Sequence, residues 1–219
     1  MRWAIVGDIH GNLDYLGAVM ADVRRRRPDQ VVFLGDLFEV KVPKGAAGRF
    51  VFRGIEQVVD VEPALLEVLA RARVLRGNQE ERVLRLVPRN RLPGALLPLR
   101  RLPRRLVLRG GVVLAHGHRL EWLNPWGHVF HPRLWGWPPR VLILGHNHQN
   151  AMFRLARLPR APWTFRPEPL PLRFGAAVAL DRGARYVINV ADVRRPSWLM
   201  YDDAAATVVF YDCAGGGLP

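Results

Sequence analysis

Short apolar runs recur along the chain, and each ends in or beside a short run of glycine with Asp, Asn or His. Residues 2–6, 31–34, 73–75, 112–115 and 141–144 are runs of strand length, rich in Val, Ile and Leu. They lack a polar alternation, which predicts strands buried on both faces. Apolar positions return at helical spacing over residues 13–26, predicting an amphipathic helix. The run Arg24 to Arg27 falls at its end, where cations suit the negative pole of a helix. A second helix is predicted over residues 62–71, opened by Pro63 in its first turn, and a short third helix over residues 80–86. Residues 40–60 carry Gly, Lys and Pro without a period and read as a loop or insertion. Residues 88–109 are rich in Pro, Leu and Arg and end in a strand near Leu106. Residues 118–140 hold Trp122, Trp126, Phe130, Trp135 and Trp137 among several prolines, and residues 157–173 read as another Pro-rich connection. Four more strands are predicted at residues 176–180, 186–190, 197–201 and 207–211. An α/β alternation followed by a mostly β tail predicts two sheets packed face to face with helices outside. A chain of 219 residues suits a single domain over residues 1–219.

Composition narrows the class of protein. Hydrophobic residues make up 49% of the chain, enough for a core without disulfides. The lone cysteine, Cys213, excludes a disulfide framework and fits a reducing compartment. The first strand runs straight into a motif at Gly7 with no leader pattern before it, and Arg or Pro interrupts every candidate span. The expectation is a cytoplasmic protein with no membrane span. Lys and Arg number 33 against 19 Asp and Glu, a formal net charge of +14. Two accounts compete. One is an anionic partner such as nucleotide, nucleic acid or an anionic surface. The other is a composition that writes arginine wherever a soluble cation will do. Arg100, Arg101, Arg104, Arg105 and Arg109 divide the same way, between a phosphate-binding patch and a solvated face. The tryptophan-rich segment allows a cleft wall, a homo-oligomer contact or a stacking lid.

The informative feature is what ends the strands. The runs are Gly7-Asp8-Ile9-His10-Gly11-Asn12, Gly35-Asp36, Gly77-Asn78, His116-Gly117-His118 and Gly145-His146-Asn147-His148. In α/β folds, side chains just past the carboxyl ends of strands converge on one crevice. Asp-x-His and His-x-His put alternate side chains of an extended segment on one side. Imidazole, carboxylate and amide oxygen are together suitable donors for borderline divalent ions. One Asp or His at one strand end is ordinarily a cap or a satisfied polar residue, but five of the seven histidines lie in these runs.

The ordered set resembles the calcineurin-like metallophosphoesterase superfamily, in its small bacterial phosphodiesterase form, from Gly7 to His148. Ile188-Asn189-Val190 through Arg195-Pro196 is similar to a degraded Asn-Pro-Gly-Ser and Pro-Arg region of such proteins. The resemblance implies an α/β fold, a four-layer αββα sandwich of two mixed β-sheets flanked by helices. It implies two divalent ions, one held by Asp8, His10 and His148 and the other by Asn78, His116 and His146, with Asp36 bridging. Mn²⁺, Fe²⁺, Zn²⁺ or Ni²⁺ would suit these donors, Mn²⁺ being the favoured expectation. Two cations roughly 3.5–4 Å apart can activate a bridging hydroxide and clamp phosphoryl oxygens. Asp36, Asn78, Gln79 and His118 are the catalytic candidates.

Two departures bear on the chemistry. The third motif usually reads Gly-Asn-His and then Asp or Glu, whereas here it reads Gly77-Asn78-Gln79-Glu80. Gln79 can donate a hydrogen bond but cannot release a proton, help typically worth about 10²–10⁴-fold. A preference for phosphoanhydrides or activated esters over alkyl diesters is therefore expected, unless His118, His128 or His131 supplies the proton. The second departure is Gly35-Asp36-Leu37-Phe38-Glu39, which lacks the longer signature of phosphoprotein phosphatases. It resembles the segment of bacterial UDP-diacylglucosamine pyrophosphohydrolases, while the first motif is closer to small phosphodiesterases and dinucleoside polyphosphate hydrolases. The expected function is hydrolysis of phosphodiesters or nucleotide phosphoanhydrides. A metal-binding scaffold is the alternative from another class, and a nuclease ranks below nucleotide or small-diester hydrolysis for want of room for a DNA-binding region.

Overall fold

The computed structural model describes residues 1–124, 127, 129–134, 136, 138–158, 161–190 and 194–213, with residues 158 and 161–164 described by backbone alone. In chain order the structure runs β1 (Arg2–Val6), α1 (Leu13–Arg26), β2 (Gln30–Phe33), α2 (Pro63–Arg71), β3 (Arg73–Val74) and α3 (Asn78–Leu86). It continues with β4 (Arg105–Leu108), β5 (Val112–Ala115), β6 (Trp122–Leu123), β7 (His131–Pro132) and β8 (Val141–Leu144). The remaining strands are β9 (Ala151–Leu158), β10 (Ala161–Leu170), β11 (Ala177–Ala179), β12 (Arg185–Asn189), β13 (Ser197–Asp202) and β14 (Thr207–Asp212).

Two six-stranded mixed sheets face each other. The first has the order β11-β14-β13-β1-β2-β3 and the second β10-β9-β12-β8-β5-β4. Within the first, β1, β2 and β3 are parallel, while β13 returns antiparallel beside β1. Within the second, β5, β8 and β12 are parallel. The alternation along β1 divides the core. Ala4 and Val6 pack with Leu16, Val19, Leu65 and Val83 of the helices. Trp3 and Ile5 pack the other way, against Leu114, Ile143 and Ile188 of the second sheet. The far face of the second sheet is covered by Leu120, Trp122, Val129 and Leu134 of the tryptophan-rich segment. The architecture is the expected α/β sandwich of two mixed sheets with helices.

The helix ends follow from local chemistry. Asn12 caps α1 by accepting the Tyr15 amide at 2.9 Å. At the other end Arg25 and Arg26 pair with Asp22, and the Arg26 guanidinium stacks 3.5 Å from the Tyr211 ring centre. Two of the four arginines of the run are thus engaged by the fold. Pro63 starts α2, where a missing amide hydrogen costs nothing.

Three expectations change. The third helix begins at Asn78 rather than at residue 80, so Asn78 sits in its first turn. Residues 40–60 are more than a loop. They form short 3₁₀ turns and a bridge between Val40 and Val59, and they bury Val40, Val42, Val58 and Val59 in the core. Residues 157–173, expected to be a connection, are largely strand: β9 and β10 form a long hairpin. Its prolines misled the reading. Pro167 and Pro169 lie on β10, an edge strand, where a strand tolerates the loss of amide donors.

Candidate metal centre

Every residue singled out for metal chemistry lies just beyond a strand. Asp8 and His10 follow β1, Asp36 follows β2, Asn78 opens α3 after β3, His116 follows β5, and His146 and His148 follow β8. Because β1, β2 and β3 are parallel, and β5 and β8 are parallel in the facing sheet, these ends meet at one edge of the sandwich. The donors fall into two groups, Asp8 with His10 and His148, and Asp36 with His116 and His146, the donor atoms of each lying within 4.8 Å of one another. Asn78 joins the second group, its Oδ1 standing 3.0 Å from His116 Nε2. Asp36 Oδ2 stands between the two, 3.7 Å from His10 Nε2 and 3.4 Å from His116 Nε2. Within the first group, His10 Nε2 and His148 Nε2 are 3.2 Å apart.

The backbone is bent hard to bring them there. His10, Asp36, His146 and His148 all have positive φ, at 50°, 50°, 75° and 57°. Left-handed backbone is uncommon for such residues and clusters at functional sites. Two glycines make room. A β-carbon on Gly35, whose φ is +112°, would stand 2.6 Å from the Gly77 nitrogen, and one on Gly77 would collide with Asp36. The two turns touch backbone to backbone.

A buried carboxylate ties these turns together. Glu80 accepts the amides of Gly77 at 2.8 Å and of Asp36 and Leu37 at 2.9 Å each. The Gln79 amide in turn donates to Asp36 Oδ1 at 2.8 Å, and Asp8 Oδ2 accepts the His146 amide at 2.8 Å. The orienting oxygens of Asp36 and Asp8 are thus engaged. Their partner oxygens, Asp36 Oδ2 and Asp8 Oδ1, are buried without a hydrogen bond, as are Nδ1 of His116 and of His146. Native structures rarely leave so many buried polar atoms unpaired in one place. Carboxylate oxygens and imidazole nitrogens orphaned together fit divalent ions as the missing partners.

Burial raises the Asp8 carboxyl to about 7, and the nearby Asp36 charge adds to this against the pull of His116. Burial draws His116 down, but Asp36, Asp8 and Glu80 outweigh it and raise that imidazole to about 9. Burial, with the positive His116 beside it, lowers His146 to about 4. His148 is lowered by burial and by His10. Both keep free lone pairs at neutral pH.

His118 lies beside the cluster without joining it. Its ring centre is 5.2 Å from that of His116, and its Nε2 is 3.3 Å from Glu81 Oε2. Arg119 holds the same carboxylate at 2.8 Å and Arg104 approaches it at 3.6 Å. His131 is buried against Phe153, and His128 lies outside the described residues. Trp122 forms part of the wall, donating to the Gly117 carbonyl at 3.1 Å with its ring 6.3 Å from His146, whereas Trp126, Trp135 and Trp137 lie outside the described residues. The arginines suggested as a patch have separate surroundings. Arg100 donates to the Arg89 carbonyl, Arg104 turns to Glu81, and Arg101, Arg105 and Arg109 are exposed.

Sequence reasoning passed over Glu39 and Glu80. Glu39 contacts His10 Nδ1 and receives Gln79 Nε2 on both oxygens, at 3.2 and 3.3 Å. Glu80 was legible in principle, since an acid three residues beyond Gly77 has capping-box spacing. Nothing in the spacing announces Glu39.

Comparison with known proteins bears on this geometry. The profile of the family described as calcineurin-like phosphoesterase matches residues 1–189. No curated protein matches the chain. Among solved structures, a metallophosphoesterase from Sphaerobacter thermophilus is 20% identical, covering 97% of this chain and 88% of that one with a TM-score of 0.61. An archaeal phosphodiesterase is 13% identical, with coverage of 97% and 99% and a TM-score of 0.47. The E. coli phosphoesterase Yfce is 18% identical, with coverage of 93% and 89% and a TM-score of 0.40. The first of these shares the fold. With the family match spanning nearly the whole sandwich and two donor groups at its edge, the chain belongs to the calcineurin-like phosphoesterase family, divalent-metal-dependent enzymes that hydrolyse phosphoesters.

Proposed function

We propose that this chain hydrolyses phosphodiesters or nucleotide phosphoanhydrides at a dinuclear centre, with Mn²⁺ the favoured ion. Asp8, His10 and His148 would hold one ion and Asn78, His116 and His146 the other, with Asp36 the residue shared between them. The observation that carries this reading is the position of Asp36 Oδ2, buried, unpaired and within 3.7 Å of a histidine nitrogen from each group. Strands from both ends of the chain enter one sheet, with β1 beside β13, which supports treating residues 1–219 as one domain.

Two divalent ions supply an activated water and an electrophilic clamp for the phosphoryl oxygens. The chain supplies the rest. Asp36 is fixed by the Gln79 amide on one oxygen, which leaves the other aimed into the gap. Asn78 offers a neutral oxygen, so the centre carries less negative charge than a set of carboxylates would. His146 and His148, held deprotonated, are ready donors. His116 carries a proton among the carboxylates and would have to give it up to hold an ion, a competition usual for metal ligands. We assign to His118, beside the cluster, the protonation of a leaving oxygen. Burial and the His116 charge hold its pKa below the usual imidazole range, so it is mostly neutral at pH 7. Poor leaving groups then gain little, which supports a preference for anhydrides and activated esters.

The test is turnover by metal-stripped protein, with and without Mn²⁺, on bis(p-nitrophenyl) phosphate, a dinucleoside polyphosphate and an unactivated alkyl diester. Metal-dependent turnover of the first two, with the alkyl diester at least about tenfold slower, is expected. Equal rates on all three would reject the preference, and turnover indifferent to metal would reject the mechanism.

A further inference from the structure

We propose that Glu39 is the positioning residue for His10 and that Gln79 is there to hold Glu39. A chain Arg82–Gln79–Glu39–His10 would then set the affinity of one ion and leave the other alone. The inference rests on the dinuclear reading above.

His10 presents two nitrogens to two environments. Nε2 faces the donors, 3.2 Å from His148 Nε2 and 3.7 Å from Asp36 Oδ2. Nδ1 contacts Glu39 Oε2. A carboxylate on Nδ1 fixes the proton there and leaves the Nε2 lone pair for an ion, and it also sets the plane of the ring. Glu39 cannot hold that pose unaided. Its side chain is 50% exposed, and a carboxylate on an exposed stem is free to turn into water.

Gln79 supplies the restraint. Its Nε2 donates to both Glu39 oxygens, and its Oε1 accepts Arg82 Nη1 at 2.9 Å and the Val40 amide at 3.3 Å. The amide has one possible orientation, because Arg82 and the Val40 N–H only donate and an ionised Glu39 only accepts. Arg82 is itself buried and anchored on the Val42 carbonyl. Gln79 is buried too, with both ends of its amide engaged. It is therefore unavailable to a substrate, and its role differs from the catalytic one expected from the sequence. A protonated imidazole at this position could not accept from Arg82 and Val40 while donating to Glu39. A neutral one could accept through a single nitrogen. The amide does both, a physical reason for glutamine at residue 79.

The experiment is stepwise Mn²⁺ binding to the metal-stripped full chain by calorimetry, comparing wild type, Glu39→Ala, Gln79→Ala and the double variant. Glu39→Ala alters an exposed side chain and leaves the core intact. It should weaken one of two binding steps by about 10–100-fold, the range for a lost partner of a metal-bound histidine, and leave the other within about twofold. Gln79→Ala should weaken the same step by less. The double variant should match Glu39→Ala alone, because Gln79 acts through Glu39. Both steps unchanged in Glu39→Ala, both weakened alike, or additive losses in the double variant would each overturn the inference. A wild type that binds no ion at all would overturn the dinuclear reading first, and this inference with it.

Discussion

The two sheets contribute to the metal centre in different ways. The first sheet sends in Asp8, His10, Asp36 and Asn78 on turns already fastened to one another. Glu80 gathers three backbone amides from the turns after β2 and β3, the Gln79 amide clamps Asp36, and Glu39 braces His10. The second sheet sends in three histidines with fewer ties. Nδ1 of His116 and of His146 is buried without a hydrogen bond, and the His148 side chain is 46% exposed. One side is organised by the protein before any ion arrives. The other is aimed into the gap, where ions would be its partners. Family resemblance alone, which names candidate ligands without the contacts that brace them, would not show this asymmetry. It means that losing the ions should loosen the histidine turns more than the carboxylate turns.

The sharpest way to break this picture is at Asp36, where the two sides meet. Asp36→Asn keeps the shape and an acceptor for the Gln79 amide but removes the charge that both donor groups share. A centre whose ions contribute several kcal/mol of transition-state stabilisation should lose about a thousandfold in kcat. Retention of activity within tenfold in a bis(p-nitrophenyl) phosphate assay would place the reaction elsewhere.

Stability should separate the sides next. Glu80→Gln sets an amide donor against backbone donors at a fully buried position. It should cost about 2–4 kcal/mol in urea melts of metal-stripped protein. His146→Asn, which suits the left-handed backbone there, should change the same melt by less than about 1 kcal/mol while abolishing one ion-binding step. The reverse order of effects would sink the asymmetry.

Metal removal gives a third handle. With free ion at a hundred times its dissociation constant, each site adds about 2.7 kcal/mol to stability. Chelation should lower the melting temperature and, in hydrogen exchange, deprotect residues 116–118 and 145–148 before residues 35–37 and 77–80. Uniform loss of protection would count against two unequal halves.

The smallest effect tests a feature outside the centre. Buried Asp22 receives Arg25, Arg26 and the Trp198 indole, the last at 3.0 Å. Burial alone would raise its carboxyl, but Arg26, Arg25 and Trp198 together hold it below the ordinary aspartate value. A depressed folded value means that the unfolded chain binds the proton more readily. The stabilisation is present above the unfolded carboxyl value and is lost as pH falls through the folded one. Asp22→Asn should cost about 1–2 kcal/mol at pH 7, less at each step into acid, and leave turnover unchanged. A penalty independent of pH would assign the effect to packing instead.

Much of this was written in the sequence where a single local rule governs. Strands β5 and β8, and β1 after Arg2, carry uninterrupted apolar residues, and each runs into a glycine or histidine turn. The ligand candidates were legible because so many strands end in the same chemistry. What escaped reading depends on neighbours distant in the chain. Residues 161–170 look like a connection until β9 makes them an edge strand, and residues 40–60 look like a loop until Val40 and Val59 are seen to bridge. Gln79 read as a lost proton donor, because a histidine stands there in the resembling family. Its contacts with Glu39 and Arg82 span 40 residues one way and three the other, and spacing exposes only the shorter.

The central claim is that seven residues at one sandwich edge hold two ions with Asp36 between them. Anomalous diffraction from crystals grown with Mn²⁺ tests it most directly. The account predicts two peaks per chain, one bounded by Asp8, His10 and His148, the other by Asn78, His116 and His146, with Asp36 reaching both. A single peak, or peaks away from Asp36, would contradict it.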